Sequence, residues 1–122
     1  MSKKNENGTC WEIAGLSLPF DLEDADTMER YEKAFEALAA QQAKVEAETR
    51  GSARIRAYCM AFRKLFADMF GAEAAEKIFA GVPMRAAAHE EIYDSFLDFC
   101  RRQTDAAAAA RAERMGKYLP QK

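Results

Sequence analysis

Apolar positions recur along this chain with two different periods. Between residues 9 and 20, TCWEIAGLSLPF, they alternate as in a strand, with Ala14-Gly15 midway. Glycine at that point allows the positive φ of a tight turn, so a β-hairpin is predicted over 9–20. Alternation puts Cys10, Glu12 and Ala14 on one face and Trp11 and Ile13 on the other. Pro19 cannot donate a ladder hydrogen bond, so the second strand is an edge or ends there. A lone hairpin is marginal in water, so this one must pack on the rest of the chain or pair with another.

Beyond residue 24 the period becomes helical. Met28, Tyr31, Phe35, Leu38, Gln42 and Val45 are spaced three and four apart, which predicts one apolar stripe on a first helix. Asp24 or Asp26 can cap it by accepting from free N–H groups of the first turn, and Asp26 with Glu29 has the capping-box spacing. Thr49-Arg50-Gly51-Ser52 breaks the pattern, with Ser52 placed to cap a second helix. Its stripe is Ile55, Cys59, Phe62, Phe66 and Met69, widened by Tyr58 and Leu65. Arg54, Arg56, Arg63 and Lys64 form its polar face. Gly71 suits the left-handed position that ends a helix. A short helix is expected over 72–79, anchored by Ile78 and Phe79. Pro83 fits the first turn of a last helix with a core stripe of Ala88, Ile92, Phe96 and Phe99, flanked by Tyr93, Leu97 and Cys100. After Thr104 the apolar residues shrink to alanine, whose helix propensity can prolong that helix with no core beneath it. That segment is expected to project.

These elements predict a mainly α fold, a small helical bundle of three to four helices with an N-terminal β-hairpin. Residues 1–8 read as a disordered tail, 9–115 as a single domain and 116–122 as a C-terminal tail. Composition changes little: 49% hydrophobic and 31% charged residues in 122 suit one globular domain. No apolar run approaches the ~20 residues of a membrane span, and the polar start MSKKNENGT lacks the apolar core of a signal peptide. A cytoplasmic location is expected.

Charge does add something. Net charge is −2, arranged in blocks: residues 1–48 carry −6, 49–64 carry +5, 65–100 carry −5 and 101–122 carry +4. Such alternation suits helices packed through complementary surfaces, within one chain or between copies, so self-association stays open. It argues against nucleic acid, which attracts a net basic excess; the basic face of the second helix would otherwise predict steep salt dependence.

Candidate chemistry is sparse. Cys10, Cys59 and Cys100 are odd in number, far apart and set among apolar neighbours, which points to buried thiols rather than a disulfide framework or zinc site. His89 has no nearby cysteine or nucleophile partner and reads as a half-exposed helical residue. The acids from Asp21 to Asp26 lack the glycine and distal glutamate of a calcium loop. No glycine-rich nucleotide fingerprint is present. No catalytic residue, cofactor or metal is expected, and the chain reads as a binding protein rather than an enzyme.

The stretches LPFDLEDADTMERYEKAFEAL, FRKLFADMFGAEAAEKIFAG and MGKYLP together resemble a family of small proteins from phage and prophage tail gene clusters, similar to phage tail assembly chaperones. The resemblance runs over most of residues 8–122. It departs from the pattern in the alanine-rich segment 104–115. It implies a helical, non-enzymatic phage protein in the host bacterial cytoplasm that binds the tape-measure protein or tail-tube subunits before the tube forms. The alternative is a phage-encoded inhibitor or trigger of a host defence protein. The expected protein-binding residues are Trp11, Ile13, Leu16 and Leu18 on the hairpin, with Tyr118 and Leu119 at the far end.

Overall fold

A computed structural model describes residues 8–118. In chain order it contains β1 (Cys10–Ile13), β2 (Leu16–Pro19), α1 (Ala25–Ala47), α2 (Gly51–Phe70), α3 (Ala72–Ile78) and α4 (Ala86–Tyr118). This is the mainly α bundle with an N-terminal hairpin that the periodicity predicts. Residues 1–7 of the expected N-terminal tail lie outside the described residues.

The hairpin turns at Ala14 and Gly15, both with positive φ (51° and 77°). Two left-handed residues give a two-residue loop the twist of its strands, so the turn is tight even though Ala14 is an alanine there. The antiparallel register pairs Trp11 with Leu18 and Ile13 with Leu16, which sets all four side chains on one face. Pro19 closes β2 opposite Cys10, where its missing donor interrupts nothing further along.

Asp24 is the residue that starts α1. Its carboxylate accepts from the backbone N–H and the hydroxyl of Thr27, both at 3.0 Å. The Thr27 N–H holds the Asp24 carboxyl below its usual range. Of the two acids the sequence offered, the one with a threonine three residues on is used. At the other end of α1, Arg54 donates to the carbonyls of Glu46 and Glu48, which have no intrahelical donor.

The core is mostly aromatic. Phe96 of α4 sits at its centre, fully buried, with Trp11, Phe66 and Phe20 meeting it at centroid distances of 5.2, 5.5 and 5.6 Å. These three contacts are edge-on, the arrangement aromatic quadrupoles favour. Ala34, Leu65, Met69, Ala75, Ile78, Phe79, Phe99 and Cys100 complete the buried cluster. Gly71 (φ 98°) ends α2 and starts α3 at one residue, donating to the Ala67 carbonyl and accepting from the Ala75 N–H.

Four details differ from the sequence-based expectation. Arg50, not Ser52, precedes α2, with no side-chain cap, because the helix already includes Gly51. Ile55 is exposed rather than part of the buried stripe. Pro83 lies three residues ahead of α4 in a turn closed by the Arg85 N–H on its carbonyl. And α4 runs on to Tyr118, past the expected boundary at 115. The charge blocks do not pair helix with helix: among the described residues the ion pairs fall within single helices, except that of Arg111 with Glu23.

Candidate protein-binding surfaces

The hairpin residues chosen from sequence pack on the protein's own core. Trp11 is buried, stacked on Phe66 at 5.3 Å, and its indole N–H donates to the Ser95 hydroxyl of α4 at 3.1 Å. Ile13, Leu16 and Leu18 are half-buried against the same cluster. In this conformation Trp11 offers a partner no surface. Phe20 and Gln103 finish the attachment. The Gln103 carboxamide accepts from the Leu22 N–H at 2.6 Å and donates to the carbonyls of Phe20 (2.9 Å) and Gly8 (3.1 Å). A buried amide that satisfies three backbone groups fixes the arm on α4. Nothing in the sequence marks Gln103 for this role, because its partners lie more than 80 residues away.

A second polar assembly joins α2, α4 and the turn after α3. His89 is fully buried, its ring stacked on Phe79 at 5.1 Å. The expected half-exposed histidine is therefore corrected: α3 and its turn cover that face of α4. The Arg63 Nε–H donates to His89 Nε2 at 3.0 Å, and His89 Nδ1 lies 3.1 Å from the Arg85 carbonyl. With a lone pair required at Nε2, the proton is assigned to Nδ1, which donates to Arg85. Burial, then the Arg63 charge, holds the imidazole below its usual pKa and so neutral. Arg63 also donates to the Val82 carbonyl at 3.0 Å and lies over Phe79. It is thus a strut between elements rather than part of a solvated basic face.

The two cysteines near this assembly and the core are buried. Burial raises the Cys59 thiol and pushes Cys100 up to about 12, which keeps both as thiols. Cys10 is half-buried. Both His89 nitrogens are engaged. Among the described residues, no group of three or more His, Cys, Asp or Glu side chains is placed to hold a metal ion, and no helix is long and apolar enough to cross a membrane.

Two open surfaces bear on binding. One is a groove of about 370 Å³ lined by the distal half of α1 together with α2 and α4. Leu38, Val45, Phe62 and Tyr93 give it apolar walls, and Glu46 supplies its one charge. Tyr58 stands at its edge, donating to the Glu90 carboxylate at 2.6 Å; burial and that bond push its phenol up to about 12. The other is the distal half of α4. From Thr104 to Tyr118 every residue except Ala107 is exposed. Arg111 pairs with Glu23 and ties one turn to the arm. Met115 and Tyr118 stand beyond it at 53% and 77% exposure. Leu119 lies outside the described residues.

Fold and surfaces together define a small aromatic-cored α-helical bundle stapled by a β-hairpin, with an apolar groove beside Tyr93 and a projecting end of α4. The chain belongs to DUF6673, a family of unknown function whose model matches residues 14–122. No curated protein and no solved structure matches it.

Proposed function

We propose that this chain is a non-enzymatic phage or prophage protein that binds other proteins in the host bacterial cytoplasm, as a tail assembly chaperone for tape-measure or tail-tube protein. The observation that carries a binding role is the bare distal half of α4, a four-turn helix with Met115 and Tyr118 in water. An exposed helical face of this kind suits helix-in-groove recognition of a partner. The hairpin is the weaker surface: its apolar side chains face the core, and Pro19 removes a donor from the outer edge of β2. The tail-cluster resemblance of LPFDLEDADTMERYEKAFEAL and MGKYLP supplies the partner class.

The test is co-expression of tagged protein with phage tail-tube and tape-measure proteins, followed by affinity capture. Recovery of either one with the wild type, lost with the double variant Met115→Asp/Tyr118→Asp, supports the reading. Failure to capture either, with a fixed-ratio complex with a host defence protein instead, replaces it by the inhibitor reading.

A further inference from the structure

The groove and the end of α4 fit each other but cannot meet within one molecule. Gln103, Ala107, Arg111, Met115 and Tyr118 follow at spacings of four, four, four and three, so they share one stripe of α4. The first three of them dock the helix on its own arm, through the Gln103 carboxamide, the half-buried Ala107 and the Arg111–Glu23 pair. Met115 and Tyr118 continue the docked face past the end of the body. The groove lies near the other end of the same helix, at Tyr93. Tyr118 is 25 residues further on, roughly 37 Å along one continuous helix, so it cannot fold back onto its own groove.

We infer that the tip of α4 from one copy, carrying Met115 and Tyr118, docks in the groove between α1, α2 and α4 of a second copy. The chemistry matches on both sides. The groove presents aliphatic and aromatic walls from Leu38, Val45, Phe62 and Tyr93, and the tip presents a thioether and a phenol ring. The lone charge of the groove is the Glu46 carboxylate, which has no cationic partner, only a 3.4 Å bond from the Gln42 amide. The tip brings Arg114, one turn before Tyr118 and beside it on the helix surface. The contact is head-to-tail: a docked pair keeps one free groove, on the copy that gave its tip, and one free tip, on the other, so it propagates or closes into a ring. A single helix end buries little area, which places the association in the weak, concentration-dependent range. The same tip carries the proposed binding of a tail protein, so self-docking and partner capture compete for it; the mass of the chain alone reads the first without the second.

Sedimentation equilibrium of the full chain over a wide concentration range tests it. The expected result is an average mass rising from 13.7 kDa toward and past twice that value. Val45→Asp in the groove and Met115→Asp/Tyr118→Asp at the tip should each hold the protein at monomer mass. Mixed together they should form a one-to-one pair that grows no further, since one variant keeps its tip and the other its groove. Circular dichroism checks that each variant is folded; if Val45→Asp is not, Gln42→Trp fills the groove from an exposed position and replaces it. A wild type that stays monomeric throughout overturns the inference. So does association that survives Val45→Asp and is lost only in Met115→Asp/Tyr118→Asp, which would mean a symmetric tip-to-tip contact, or association lost in both variants and not restored by mixing, which would mean that tip and groove do not meet each other.

Discussion

The two halves of α4 are one uninterrupted helix held by different causes. From Ala86 to Gln103 the helix exists because the fold needs its face: His89, Phe96, Phe99, Cys100 and Gln103 are buried, and several are poor helix formers. From Thr104 to Tyr118 nothing but Ala107 is covered, and the segment is helical because alanine loses little on entering a helix. Tertiary packing sustains the first half and local propensity the second. An isolated helix of that length is marginal in water. The second half therefore persists by growing from the first, which has already met the cost of nucleation.

That contrast can be broken deliberately. The largest effect is expected from Phe96→Ala, which empties the middle of the core and should lower stability by about 3–5 kcal/mol in chemical denaturation. Next comes Gln103→Leu at the junction of the halves. It leaves the Leu22 N–H and the Phe20 carbonyl without their partner and should cost about 2 kcal/mol, with amide exchange rising first in the 8–22 arm. A smaller, pH-dependent effect belongs to His89. Its folded pKa lies below the ordinary 6.5, so an unfolded chain takes up the proton first. Stability from this group is complete above about pH 6.5 and declines as pH falls below it. Denaturation midpoints of wild type and His89→Gln measured between about pH 7.5 and 5.5 check this; the wild type should show the steeper decline. The smallest effect is Ala109→Gly in the distal half. It should weaken the local helix by about 1 kcal/mol and leave global stability unchanged. Faster amide exchange confined to residues after 104 would bear this out, whereas a shifted global midpoint would show that the distal half belongs to the core.

The same division explains what the sequence disclosed. Properties set by near neighbours were legible: the Ala14-Gly15 turn, the helical stripes, the Gly71 break and the projecting alanine segment. Asp24 was legible as one of two candidates, and choosing it needed only Thr27, three residues on. Properties set across long separations were not. Arg63 looks like part of a basic face with Arg54 and Arg56 until α4 brings His89 to it. Gln103 looks like a polar residue at the end of a stripe until the arm lies beside it. Trp11 could equally have been a contact for a partner, because a hairpin's apolar face reads the same whether it covers its own helices or another protein's. Of the expected binding residues, Tyr118 is in water, Leu119 is outside the described residues and the hairpin four are on the core. The groove at Val45 and Tyr93 drew no notice at all, since the stripe of α1 reads as core along its whole length.

Trp11 has one more consequence. The match to the family begins at residue 14, in the hairpin turn, one position after β1 ends. A boundary drawn by similarity and a boundary drawn by folding thus differ by a single short strand. An expression fragment trimmed to the similarity boundary would discard the indole that lies between Phe66 and Phe96, strip β2 of its ladder partner, and leave Ser95 without the donor it accepts from. Such a fragment should aggregate or refold poorly while keeping all four helices in its sequence, and the fault would be easy to blame on the helices.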